Sequence, residues 1–214
     1  MKNIPKEVKI GGSKYKVKLI NTFIEQSKNL LGLSCVPQKE IIISKVFNDN
    51  IRDIRKIHES FLHECLHMVE FEWNLDIDHP VLTQLSVGLY QVLVDNDLQF
   101  YKNTVIKSIK VGGFRYKVIY PYTFVDTGIT VQAFNPDSDS LEVKVTDIDY
   151  TGSKCSVEYV KQVLFGCIMY LINLTYNGEH WGDIEDNDLY TYSRGIYQLI
   201  KDNKLNELFR NVKY

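Results

Sequence analysis

His63, Glu64 and His67 are the residues of this chain best suited to chemistry, within the run Phe61-Leu62-His63-Glu64-Cys65-Leu66-His67-Met68-Val69. Two imidazoles four residues apart stand one above the other on a helix face, close enough to grip one metal ion, with a carboxylate beside them. Zn²⁺ held at about 2.0–2.1 Å by two imidazole nitrogens and one further ligand keeps a fourth position for water, whose pKa falls to roughly 7. Glu64 is then the candidate general base, taking a proton from that water as it attacks a carbonyl carbon. The pattern implies a zinc hydrolase with His63 and His67 as metal ligands.

A helix must present these groups. From Ile51 to Trp73 there is no Pro or Gly, and Ile51, Ile54, His58, Phe61, Cys65 and Met68 recur at steps of three and four, as the buried stripe of a helix does. His63, His67 and Glu70 fall on a second, polar face. Asn48, Asp49 and Asn50 are candidate N-caps, and Asn74 can stop the helix.

The 214 residues suffice for one large domain or two small ones. A hydrophobic content of 44%, a charged content of 24% and a net charge of -2 describe an ordinary globular chain with no basic stripe, which argues against nucleic acid as a partner. No run of 18 apolar residues occurs, and no apolar segment follows Met1-Lys2-Asn3-Ile4-Pro5-Lys6, so no membrane partner and a cytoplasmic location are expected. Cys35, Cys65, Cys155 and Cys167 form no Cys-x-x-Cys pair and read as small buried hydrophobes rather than disulfides or ligands.

The chain also repeats itself. Val8-Lys9-Ile10-Gly11-Gly12-Ser13-Lys14-Tyr15-Lys16-Val17 is echoed by Ile109-Lys110-Val111-Gly112-Gly113-Phe114-Arg115-Tyr116-Lys117-Val118, and Gly88-Leu89-Tyr90-Gln91 by Gly195-Ile196-Tyr197-Gln198. Gly-Gly between alternating runs signals a hairpin. The offsets, 101 and 107 positions, imply a tandem duplication with a few residues inserted in the second copy. Copy one is expected to hold a hairpin at 7–20, a short helix around 22–31 and a strand pair 32–36 and 41–44, then the motif helix and a closing helix from Pro80 to about Tyr101. Copy two is expected to hold strands at 107–120, 128–134 and 140–148, a turn at Asn135-Pro136-Asp137, and helices at 156–176 and 187–211, the linker falling near Asn103-Thr104. Anchored by Cys65 on Cys167, the alignment sets Phe165, Gly166 and Met169 opposite His63, Glu64 and His67, which leaves copy two without the metal site. Glu179, His180, Asp183, Glu185 and Asp186 read as a solvated loop rather than a second site.

On the N-terminal hairpin, the Ile-rich strand, the His-Glu-x-x-His helix and the following helix with Leu89-Tyr90-Gln91-Val92-Leu93, the first half resembles the minimal gluzincin-type zinc peptidases often encoded by phages and prophages. The resemblance covers roughly residues 7–100. It implies an α+β fold of two tandem zincin-like units, 1–104 carrying the motif and 105–214 a degenerate repeat. It further implies Zn²⁺ on His63 and His67, Glu64 as base, and a protein or peptide substrate.

The chain departs from that family where a Glu on the following helix is expected as third ligand: Val81-Leu82-Thr83-Gln84-Leu85-Ser86-Val87 holds no carboxylate. Thr83 and Gln84 are weak zinc ligands. His79, before Pro80, is the preferred substitute because imidazole binds zinc well, with Asp76 and Asp78 as alternatives and a plain N-cap role for His79 as another. Two functions stay open: a zinc endopeptidase, or a phage-type binding protein on a zincin scaffold that acts on a host protein in the host cytoplasm.

Overall fold

Paired glycines turn the chain at the start of each half. The computed structural model describes residues 4–23, 30–124, 140–149, 151–177 and 186–210. Strands β1 (Glu7–Ile10) and β2 (Ser13–Ile20) form an antiparallel hairpin, as do β7 (Ser108–Val111) and β8 (Phe114–Ile119). Gly11 and Gly112 both take a φ of 56°, and Gly12 and Gly113 take 90° and 89°. These left-handed turns match the twist of the flanking strands and strongly favour glycine.

The hairpins extend in the same way. β3 (Gly32–Cys35) and β4 (Glu40–Ser44) complete a first sheet of order β1-β2-β4-β3, in which β2 and β4 run parallel and β3 lies at the edge. In the second sheet, β9 (Glu142–Lys144) runs parallel to β8. A third, two-stranded sheet is formed by β5 (Val46–Phe47) and β6 (Asn50–Ile51).

Helices cover these sheets: α1 (Ile54–Glu72), α2 (His79–Asp95), α3 (Val157–Asn177), α4 (Asp186–Asp202) and α5 (Leu205–Arg210). The architecture is therefore mixed α+β. The buried apolar residues of both halves form one contiguous core. All four cysteines are free, Cys65 and Cys167 buried and Cys35 and Cys155 half-buried. Among the described residues one stretch, Val157–Tyr176, is long and apolar enough to cross a membrane, and 67% of its apolar 18-residue window is buried inside the protein.

Boundaries differ from expectation in three places. Ile51 does not open the motif helix: it is 86% exposed on β6. Asn48 and Asp49 adopt positive φ in the tight β5–β6 turn, which local polar side chains tolerate, and Asp53 is the N-cap, accepting from Arg55 N at 2.8 Å. The closing helix of the first half ends at Asp95 rather than near Tyr101, because Asn96 leaves in an extended conformation to bond the second half. The expected 187–211 helix is split into α4 and α5, with Lys204 at a φ of 53°. Most of the expected 22–31 helix, the 128–134 strand, the Asn135-Pro136-Asp137 turn and Glu179, His180, Asp183 and Glu185 lie outside the described residues.

The halves hold each other reciprocally. The Asn96 side chain brackets Lys110 on β7, accepting from its N–H at 2.8 Å and donating to its carbonyl at 2.9 Å. Asn203 brackets Lys9 on β1 in the same way, at 2.8 and 2.7 Å. Phe100, just past α2, packs edge-on against Tyr197 of α4 at 5.2 Å, and Phe209 of α5 against Tyr90 of α2 at 5.3 Å. Gly88 admits Ile172 and Tyr176 of α3, while Gly195 admits Val69 of α1 and its C-cap Trp73.

These matched contacts also fix which residues correspond. Gly11 meets Glu72 where Gly112 meets Thr175, and His63 meets Ser86 where Gly166 meets Ser193. The counterparts of His63, Glu64 and His67 are therefore Gly166, Cys167 and Tyr170, one residue along from Phe165, Gly166 and Met169. Phe165 and Met169 are core residues, 1% and 0% exposed. The Cys-on-Cys anchor misleads because both helices are so apolar that a shift of one residue leaves most hydrophobic matches intact.

Candidate metal centre

The motif helix is locked to the sheet above it. Arg52, just before α1, donates to Ser44 O at 2.7 Å and Leu31 O at 3.1 Å from one guanidinium nitrogen, and to Lys56 O and Ser60 Oγ from another. One cation thus ties the ends of β3 and β4 to the first turns of α1. Phe61, Leu62, Cys65, Leu66, Met68 and Val69 are wholly buried and set the rotation of the helix. That rotation leaves His63 and His67 half-buried towards α2.

A short turn returns the chain as α2. Asn74 adopts a φ of 51° and Leu75 N donates to Glu70 O at 2.9 Å. The Glu70 carboxylate accepts from Ile77 N at 2.8 Å, holding the loop that delivers His79. His79 is the first residue of α2, not its cap: Asp78 is the N-cap, without a side-chain bond, and Pro80 follows in the first turn. The helix starts there because proline's fixed φ suits a first turn and its missing N–H costs nothing.

This brings three imidazoles together. His63, His67 and His79 each offer a ligand atom, all within 4.8 Å of one another. Their ring centroids are 4.8, 5.1 and 5.3 Å apart. Nitrogens around a tetrahedral zinc sit about 3.3 Å apart, given a Zn–N distance of about 2.0–2.1 Å. The three rings fit such an ion after a modest closure, which exposed His79 at a helix start can supply. Asp76, Asp78 and Gln84 are exposed and outside this cluster, and the Thr83 hydroxyl is engaged with His79 O at 2.8 Å.

Neighbouring hydrogen bonds decide the tautomers. Ser86 donates its one proton to Thr83 O at 2.7 Å, so its oxygen accepts from His63 Nδ1 at 3.3 Å. The carboxylate of Glu70 accepts from His67 Nδ1 at 3.1 Å. In the neutral rings that a metal requires, these bonds put the proton on Nδ1 and leave the Nε2 lone pair for the metal, the arrangement outer partners commonly impose on ligating histidines. Burial, and then the charges of His67 and His79, lower the His63 pKa to about 4, so this imidazole is neutral at pH 7 as a ligand must be. Glu70 stands three residues after His67, a spacing readable in the sequence. Ser86 stands 23 residues after His63 and becomes visible only when α2 folds back.

Glu64 turns the other way, under the edge strand. It is 7% exposed, with Gly32 of β3 packed so closely that a side chain there would collide with its carboxylate. Burial raises its pKa to about 7, against the opposing effect of hydrogen bonds from the Ser34 side chain and backbone. Glu64, His63 and His79 line one cavity of about 280 Å³, with Leu31, Thr83 and Ser86. The site thus combines three imidazoles, that of His63 neutral at pH 7, with a carboxyl group whose pKa burial raises to about 7.

Compared with models of known protein families, with curated proteins and with solved structures, the chain finds no match.

Proposed function

We propose that this chain is a zinc-dependent metallopeptidase in which His63, His67 and His79 hold Zn²⁺ and Glu64 is the general base. The single observation that carries the reading is the convergence of three imidazoles, two of which, His63 and His79, line one cavity with the buried Glu64 carboxyl. The donor set suits the ion: Zn²⁺ readily takes three imidazoles and leaves a fourth position open. Bound there, the metal supplies Lewis acidity for a carbonyl and activates water. The chain's own contribution is to orient the His63 and His67 rings through Ser86 and Glu70, and to keep Glu64 buried beside them, its pKa raised to about 7 before any metal binds. A cation at the imidazoles lowers that value, which keeps Glu64 ionised at neutral pH.

The same reading takes the molecule as two tandem zincin-like units, 1–104 and 105–214, the second serving as a support without metal. Its Tyr192 hydroxyl donates to Leu66 O within the motif at 3.1 Å, a contact that steadies the helix bearing both histidines. The substrate is a protein or peptide. The test is cleavage of a broad peptide library by zinc-loaded protein, its loss on chelation and its return on adding zinc. A loaded protein that cleaves nothing moves the account to a zincin-type scaffold that binds a host protein.

A further inference from the structure

Two helical rows border the metal cavity and continue past it. On α1, Arg55, Glu59, His63 and His67 recur every four residues, and on α2 so do His79, Thr83, Val87 and Gln91, each set forming one line on its helix. The helices run in opposite senses, so His67 and His63 face His79, and Glu59 comes level with Val87. Glu59 and Val87 line the metal cavity and also a second one of about 480 Å³. The two are consecutive basins of a single trough.

The second basin is built by both halves. Val87, Tyr90 and Val94 come from α2, while Tyr176 comes from α3 and Lys110 from β7. Tyr176 reaches this place because Gly88 lets α3 approach α2, and its hydroxyl is held by the Gln91 side-chain oxygen. Two valines and two tyrosine rings make an apolar slot. Charge borders it, with Glu59 towards the metal cavity, Arg55 one turn further along α1, and the Lys110–Asp95 pair, at 2.8 Å, on the opposite wall. A slot of this volume, mostly apolar with a few placed polar groups, has the make-up of a binding site.

We infer that this basin is a specificity pocket, completed by Tyr176 of the second half, which takes a large apolar or aromatic side chain of a polypeptide lying in the trough. The inference rests on the peptidase reading for where the scissile bond lies. From His63 to Arg55 the α1 row covers about 12 Å at 1.5 Å per residue. Extended peptide rises about 3.3 Å per residue, so the pocketed side chain stands about four residues from the cleaved bond. The occupant is extended peptide rather than a free small molecule because the basin opens onto the metal cavity along its length, through Glu59 and Val87.

Two measurements on the full-length, zinc-loaded protein test this. The first is an NMR titration of the Val87 and Val94 methyl groups with N-acetyl-phenylalaninamide, and with N-acetyl-glycinamide as control. The phenylalanine probe is expected to shift both methyls and the glycine probe neither, and Val94→Trp, which fills the slot, is expected to weaken the probe at least tenfold while zinc content is unchanged. Tyr176→Ala provides a second variant that empties one wall and is expected to weaken the probe similarly. The second measurement is the cleavage profile of the peptide library, in which a preference for aromatic or large aliphatic residues about four positions from the cut is expected in wild type and lost in both variants. Unshifted methyls, or an unaltered preference in both variants, overturns the pocket. Probe binding without any cleavage overturns the peptidase reading instead, so the two failures are distinguishable.

Discussion

On helices that pack alike, α1 carries His63, Glu64 and His67 where α3 carries Gly166, Cys167 and Tyr170. Their buried neighbours have stayed apolar: Phe61, Leu62, Cys65, Leu66, Met68 and Val69 stand against Leu164, Phe165, Ile168, Met169, Leu171 and Ile172. One face answers to the core and the other to chemistry, and the two vary independently because they meet different partners. In the second half, Tyr190 takes the place of Thr83 and its ring packs beside Gly166. In the first half the corresponding space is the metal cavity. If the halves are two copies of one unit, the imidazoles are expected to be dispensable for stability.

The comparison can be broken most forcefully at Glu64. Glu64→Gln is expected to keep the zinc and lower peptide cleavage by about 10²- to 10⁴-fold, the loss that follows removal of a positioned base. Cleavage within threefold of wild type in a steady-state assay removes the base from the account.

The reciprocal packing should respond evenly. Phe100 and Phe209 are each nearly fully buried against the opposite half. Phe100→Ala and Phe209→Ala are each expected to cost about 3–5 kcal/mol by denaturant unfolding. A large cost for one and none for the other shows that the halves do not depend on each other equally.

His58 and Lys161 sharpen the contrast by pH. They occupy corresponding places, but buried Lys161 donates to Phe100 O at 3.0 Å, whereas neither ring nitrogen of His58 has a hydrogen-bond partner among the described residues. Burial lowers the His58 pKa to about 4. Against an unfolded value of about 6.5, the unfolded chain binds a proton that the folded chain refuses. This contribution to stability is therefore whole above about pH 6.5 and falls away as the pH drops to about 4, by about 3 kcal/mol. Urea unfolding from pH 7 to 4 is expected to show a shallower decline for His58→Phe than for wild type, and identical slopes exclude His58 as the source.

The smallest of these effects lies at His79, the proposed third ligand at the start of α2. His79→Ala is expected to weaken zinc binding by tenfold or more, about 1.4 kcal/mol, in a competition titration against a chelator. An unchanged affinity hands the third position to water or to Asp76 or Asp78.

What could be read in advance was local. Gly11-Gly12 and Gly112-Gly113 announce hairpins because their turns need positive φ, and the spacing of three and four residues announces α1. His79 could be named only as one candidate beside Asp76 and Asp78, because the resemblance implies a third ligand that Val81 to Val87 does not offer; its place beside His63 and His67 depends on the turn that starts α2. Long-range facts were not legible. The parallel pairing of β2 with β4, the fold-back that sets Ser86 against His63, and the Asn96 and Asn203 brackets join residues far apart in the chain, and periodicity carries no information about them. The register of α3 was hidden for another reason: in a helix this apolar, patterning cannot resolve a slip of one residue, and only contacts such as Gly88 against Tyr176 do so.

The central claim is one metal site, in one half. Elemental analysis of purified protein, loaded with Zn²⁺ and dialysed, tests it most directly. One zinc per chain is the expected result, falling to none in the His63→Ala, His67→Ala double variant. Two tightly held zinc ions per chain, none in the wild type, or a full equivalent retained by the double variant contradicts it.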